Sequence, residues 1–184
     1  STDSKSMPSR ATIVRGFFKI QNWIAAIRAK PRRTYDAYEV SFSPEGNHAP
    51  YVLKSLLSAK KSAKKENALN LMASFGKDSG LFDKILVKKY SRDSTSPFEI
   101  DVEFNSRVHK ISNVGYGVSQ VLPIVMDSLM NNEHTCYIIQ QPEVHLHPKA
   151  QTSLGELFYR LASNEKKQFL IETHSDYLID RFRL

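Results

Sequence analysis

A short apolar burst that breaks off at polar residues and a proline constrains this chain more than any other feature. It reads Cys136-Tyr137-Ile138-Ile139, then Gln140-Gln141-Pro142-Glu143-Val144-His145-Leu146-His147-Pro148-Lys149. Strands of a parallel sheet are covered on both faces, so they read as continuous apolar runs and not as alternating ones. The carboxyl ends of such strands open on the crevice where open α/β sheets bind ligands. Gln140, Gln141, Glu143, His145 and His147 therefore stand where chemistry would occur.

The following segments extend the same pattern. Pro148 opens a helix whose buried face carries Leu154, Leu157, Phe158 and Leu161, Gln168 to Glu172 is a further strand, and Ser175 to Arg183 is a closing helix. Strand, helix and strand at this spacing imply a parallel pair joined by a right-handed crossover. Upstream, Lys84 to Tyr90 and Phe98 to Phe104 alternate apolar with polar residues and predict an antiparallel hairpin with one wet face. Phe17, Ile20, Ile24 and Ile27 follow helical spacing and predict a helix from Phe17 to Ala29 that ends at Pro31, with Trp23 in the core. Thr34 to Ser43 reads as a strand, and Pro44-Glu45-Gly46-Asn47 as a turn. Two helical stretches follow, one after Pro50 and one that stops at Gly76. Gln120 to Met130 is helical, with Pro123 expected in its first turn. Ser112 is placed to cap the turn before it. The fold class is mixed α/β, with parallel strands, flanking helices and one antiparallel hairpin. No internal repeat is visible.

Composition narrows the class. The chain has 184 residues, 41% of them hydrophobic and 24% charged, which matches one globular domain or a large part of one. No apolar run reaches the roughly 20 residues that span a bilayer, and the first residues lack a signal-peptide core. An intracellular, cytoplasmic protein is expected. The single Cys136 lies in the apolar strand, where a thiol is usually a small buried hydrophobe. The chain starts at Ser1 and not at Met, as a fragment of a longer protein does.

Net charge is +7, which favours acidic partners. Arg28, Lys30, Arg32 and Arg33 form one basic group, and Lys60, Lys61, Lys64 and Lys65 another. The plainer reading of both is a solvated face. The alternative is contact with DNA phosphates through Lys60, Lys61, Lys64 and Lys65, without base selectivity.

Three motifs, in one order, resemble a known family. The apolar strand with Gln140-Gln141-Pro142-Glu143 and His145-Leu146-His147-Pro148 is similar to the Walker B strand and following loop of ABC-type ATPase heads, in the OLD-family and SMC-like branch. Ile111-Ser112-Asn113-Val114-Gly115-Tyr116-Gly117-Val118-Ser119-Gln120 resembles that branch's signature motif. Ile171-Glu172-Thr173-His174-Ser175 resembles its switch-histidine segment, and Gly46 to Leu53 is a weaker echo of a loop entering a helix. The resemblance implies the C-terminal lobe of a P-loop NTPase head, with residues 1–110 as a helical and hairpin portion and 111–184 carrying the motifs.

The resemblance also implies roles. Gln140 stands where an acid usually helps to hold Mg²⁺ through water, and Gln141 where the second acid polarises the attacking water. Neither is an acid here, so metal affinity and turnover are put in question. Gln140 is either a natural degenerate site or a Glu-to-Gln substitution that traps nucleotide. Glu143 is a nearby carboxylate that could partly substitute, and His174 is the switch histidine that meets the γ-phosphate. Ser112 or Ser119, with Gly115, Gly117 and Gln120, would bind ATP in trans on a second head. Pairing with that head, and a nuclease partner or domain in DNA repair or phage defence, are implied in the same way. Gly76-Lys77-Asp78-Ser79 does not make a phosphate-binding loop, because Leu71 stands where its first glycine belongs, and no other match to that motif occurs. This tetrapeptide is expected to be a loop.

Two rival readings stand beside this one. His145 and His147, with Glu143, Glu172 and His174, contain enough ligands for a metal-dependent hydrolase if the histidines share a strand face. A non-catalytic binding or dimerisation module would account for the two glutamines and the missing phosphate loop.

Overall fold

The computed structural model describes residues 21–36, 41–91, 96–131 and 135–183. Its elements run β1 (Gln21–Ile24), α1 (Ala49–Ser58), α2 (Ala63–Ser79), β2 (Lys84–Lys89), β3 (Phe98–Phe104), β4 (Arg107–Lys110), α3 (Tyr116–Met130), β5 (Cys136–Gln140), α4 (Pro148–Glu165), β6 (Gln168–Glu172) and α5 (Asp176–Ile179). Short 3₁₀ turns lie at Ile111–Asn113 and Asp180–Phe182.

The apolar burst at Cys136 forms the middle of a parallel sheet in the order β1-β5-β6. The β5–α4–β6 unit is the one expected. Strand β1 is not: the segment read as a helix pairs in parallel with Cys136–Ile139. Its ladder satisfies the backbone and Ile24 fills the core, so tertiary pairing overrides the helical spacing. The first residues of that expected helix lie outside the described residues. Ile24, Ile139 and Ile171 align across one face, and Trp23, Ile138 and Leu170 across the other. The first face packs on helices, with the Phe169 ring 4.8 Å from Phe158 and 5.2 Å from Tyr137. Among the described residues, the second face carries no covering element. Trp23 is 47% exposed and Leu170 64%, so Trp23 is not the core residue expected.

Strands β2, β3 and β4 form a separate antiparallel sheet, with the predicted hairpin and one added strand. Ile85, Phe98, Ile100 and Val102 face the core. The expected strand from Thr34 to Ser43 is reduced to one bridge, Tyr35 to Phe98, and residues 37–40 lie outside the described residues.

Two glycines change the helix boundaries. Helix α2 continues through Gly76 and Lys77 to Ser79, so the tetrapeptide expected as a loop is helical. Gly76 is small because Phe82 sits on it: a Cβ there would come within 2.3 Å of the ring. The stop is Gly80, at φ 70°, where the absence of a Cβ permits the left-handed cap. Helix α3 starts at Tyr116, not Gln120, and this puts Pro123 in its interior instead of its first turn. Pro123 has no N–H for the Ser119 carbonyl, and its ring lies against Gly46, whose φ of 80° needs glycine. Residues Gly117 to Leu129 of α3 are all buried, as befits a helix at the centre of the core.

Candidate functional site

The parallel register places the last residues of β5 and β6 side by side, Gln140 opposite Glu172. The Gln140 amide donates to Glu172 Oε2 at 3.1 Å, and its oxygen accepts the Trp23 indole N–H at 3.3 Å. One backbone bond prolongs the ladder, from Gln141 N–H to the Glu172 carbonyl at 2.7 Å. The chain then turns sharply. Gln141 has φ 43° and His145 φ 64°, left-handed conformations that cost a non-glycine residue about 1–2 kcal/mol each.

Specific contacts hold this strained loop. Arg28, only 3% exposed, donates from Nη1 to the carbonyls of Ala25 and Gln140 and from Nη2 to that of Gln141, at 3.1–3.3 Å. Burial lowers the guanidinium pKa to about 10, opposed by the negative charge of Glu143, so it stays cationic at neutral pH. The Gln120 side chain of α3 clasps the same segment. Its oxygen accepts the Arg28 N–H at 3.3 Å, and its amide donates to the Arg28 and Ala29 carbonyls.

The switch segment is tied to the same loop. Glu143 Oε1 accepts the His174 backbone N–H at 2.8 Å. Among the described residues its Oε2 is buried without a hydrogen-bond partner. Gln151 donates to the Leu146 carbonyl and accepts from the Ser175 hydroxyl, so α4 fixes both loops. Tyr116 lies 5.6 Å from the His145 ring, and a Cβ on Gly117 would come within 3.1 Å of the His145 carbonyl. The start of α3 thus abuts the loop after β5.

The structure thus brings the backbones of Gln141 and His174 beside Gln140, Glu172 and Glu143. The signature-like residues divide. Gly115 opens on free space and Ser112 donates to its neighbour Asn113 without capping a helix, whereas the buried Ser119 hydroxyl donates to the Tyr116 carbonyl of its own helix. Gln120 is engaged with Arg28 and faces no opening. In the sequence Arg28 is one of a basic group, and residue type alone does not tell a surface charge from a buried clamp. The sequence offers Glu172 only as a ligand in the metal-hydrolase reading and Trp23 only as a core residue; their contacts with Gln140 follow from strand register.

The metal-hydrolase arrangement does not assemble. Among the described residues no group of three His, Cys, Asp or Glu could hold a metal ion. The reason is local: the loop is a turn and not a strand, and His147 caps α4 by accepting the Ala150 N–H. The carboxylates nearest the strand ends are Glu172, exposed at the end of β6, and Glu143, whose negative charge acts on Arg28. Of the basic group at residues 60–65, Lys60 and Lys61 lie between α1 and α2, and Lys65 donates to the Leu57 and Ala59 carbonyls at the end of α1. Among the described residues, no helix is long and apolar enough to cross a membrane.

Comparison with known proteins bears on this geometry. An SMC head bound to the C-terminal winged-helix domain of ScpA shares 15% identity at a TM-score of 0.51, over 76% of this chain and 51% of that one. The Pyrococcus furiosus Smc head with an extended coiled coil, bound to the C-terminal domain of ScpA, matches at 15% identity and a TM-score of 0.49, over 64% of this chain and 31% of that one. A structure from work on ATP-driven dimerisation and DNA-stimulated activation of SMC ATPases matches at 12% identity and 0.49, over 72% and 77%. The chain thus spans about a third to a half of the length of the two ScpA-bound heads. At such identities the likeness is one of fold. A comparison with curated proteins returns no match. A family model described as AAA ATPase domain matches residues 25–179, and the chain belongs to that family.

Proposed function

We propose that this chain is part of an ABC-type ATPase head in which ATP and Mg²⁺ drive pairing with a second head, and that pairing controls a DNA-directed or nuclease-linked activity. The observation that carries the reading is the convergence at the carboxyl ends of β5 and β6. There Gln140, Gln141, Glu143 and His174 meet on two loops joined by the Glu143–His174 bond, beside the start of α3. The run Pro142-Glu143 to His147-Pro148 supports the OLD-like branch. Gly115, exposed just before α3, and Ser112, half-buried in the preceding turn, suit contact in trans with the nucleotide of a second head. A nuclease partner and a role in defence or repair rest on the family analogy.

The open face of the parallel sheet supports the same reading. Parallel sheets are covered on both faces, and here Trp23, Ile138 and Leu170 await a cover. A strand added at the β6 edge, followed by a phosphate-binding loop and a helix packed on the open face, would cover that face and bring the loop to Glu172 and His174. A second reading, nucleotide-dependent pairing without turnover, is favoured by the neutral Gln140 and Gln141.

Calorimetry with Mg-ATP tests both. The isolated chain should bind weakly and not hydrolyse, since nothing in its sequence cradles the β- and γ-phosphates, whereas the complete protein should bind tightly. Tight one-to-one binding by the isolated chain would overturn the assignment of missing parts, and no binding by the complete protein would overturn the ATPase reading. Tight binding with head pairing and no turnover would select the second reading.

A further inference from the structure

We infer that the cavity between the segment after Arg28 and the start of α1 is a docking site for an acidic peptide segment of a partner protein, which seats one apolar side chain in it. The inference goes beyond the ATPase reading and does not depend on it. The cavity measures about 110 Å³, and its lining includes Pro31, Tyr35, Pro50, Leu122 and Pro123. That is room for a single side chain and too little for a cofactor, since small-molecule sites run to roughly 300–1,000 Å³. Its walls are preformed. The Ala25 and Ala29 N–H groups donate to the Pro44 and Glu45 carbonyls, the Tyr35 ring stacks on Phe98 at 5.4 Å, and Gly46 lies against the Pro123 ring. A slot that is already shaped costs little ordering on binding.

Two polar groups at the cavity lack a usual partner. Pro123 gives no N–H to the Ser119 carbonyl, and both residues line the cavity. A peptide N–H supplies the missing donor. Tyr35, only 5% exposed, accepts the Arg32 N–H at 3.1 Å, and among the described residues its own O–H has no acceptor. A peptide carbonyl or carboxylate supplies one. The rim is cationic. Lys30 and Arg32 line the cavity and Arg33 follows them, all three exposed and, among the described residues, none in an ion pair. The Glu45 carboxylate of the facing loop accepts from Ser43 instead. Acidic side chains on either side of the seated residue complement that rim. A nucleic-acid strand fits it less well, because bases stack on exposed aromatic faces and the Tyr35 ring is covered. Occupancy bears on the candidate site, since the Ala29 carbonyl in the cavity wall accepts from Gln120, which also holds Arg28.

Fluorescence anisotropy tests this with the complete protein and a fluorescein-labelled Glu-Asp-Leu-Asp-Glu peptide, its Pro-centred and Ser-centred versions, and a labelled oligothymidylate. The Leu or Pro version should bind, and the Ser version at least about tenfold more weakly, as loss of one buried aliphatic side chain implies. Ala29→Phe fills the cavity from its half-buried wall and should erase that preference for an apolar centre. Lys30→Glu with Arg32→Glu should weaken the peptide by at least about tenfold and flatten its salt dependence, whereas Lys60→Glu with Lys61→Glu, an equal change of charge elsewhere, should leave it within about twofold. No binding by either apolar-centred peptide overturns the inference, and so does equal binding of the Ser version or an equal loss in both charge variants. Oligothymidylate binding that exceeds that of the peptides and falls in Ala29→Phe would assign the cavity to nucleic acid and overturn the peptide docking. If Ala29→Phe does not fold by circular dichroism, the Ser-centred peptide and the two charge variants, all at exposed residues, decide alone.

Discussion

Arg28 shows how much one side chain can decide here. Its neighbours in sequence suggest a solvated basic patch, yet its guanidinium is buried among three carbonyls, one at the end of β5 and one in the loop after it. That loop contains Gln141 in a left-handed conformation, which persists only if its surroundings hold it. Arg28→Met should therefore lower stability by about 3 kcal/mol, because it strands buried acceptors and leaves Glu143 without its cation. Urea denaturation followed by circular dichroism measures this. Arg28→Lys should recover only part of the loss, since an ammonium cannot span the same fork of acceptors. A loss below about 0.5 kcal/mol for Arg28→Met, the range of an ordinary surface change, would contradict the clamp.

Helices and strands obey local patterning except where a distant partner overrides it. Helix α2 passes through Gly76, which the local rules mark as a stop, because Phe82 folds back onto that glycine and the true stop is Gly80. Two opposed effects follow from a single methyl group. Gly76→Ala gains about 1 kcal/mol of helix propensity, but it drives a Cβ into the Phe82 ring and carbonyl, where overpacking costs about 1–3 kcal/mol. The clash distances of 2.3–2.5 Å put the cost at the upper end, so a net loss of about 1–2 kcal/mol is expected in thermal or urea unfolding. Pairing Gly76→Ala with Phe82→Leu should restore part of it. Strand β1 illustrates the same override: its apolar residues fit a helix, but the free edge of β5 offers a ladder and a core position for Ile24.

At the scale of the molecule, the unequal faces of the parallel sheet are the dominant fact. One face is sealed by α3 and α4, while Trp23 and Leu170 lie bare on the other. Leu170→Glu should leave the isolated chain within about 0.5 kcal/mol of its starting stability, as exposed substitutions do. In the complete protein the same change should abolish tight Mg-ATP binding, because it puts a charge under the proposed cover. Unfolding curves of the chain and calorimetry of the complete protein together check this. Full nucleotide affinity in the complete protein with Leu170→Glu would mean that this face stays uncovered.

The sequence by itself determined the β5–α4–β6 unit, the hairpin of β2 and β3, and the positions of Gln140, Gln141, Glu143 and His174 at strand ends. These follow from signals within a few residues: a continuous apolar run, alternation, and prolines and glycines that break it. Only the tertiary structure decided that residues 21–24 are a strand, that Arg28 is a clamp, and that Glu172 faces Gln140. Arg28 and Trp23 reach Gln140 across 112 and 117 residues of chain, and the Glu172 contact depends on which residues of two strands share a register. No local periodicity encodes such separations. They are fixed when burial of Ile24, Ile139 and Ile171 on one face selects a single pairing, because a slip of one residue would turn those side chains out of the core.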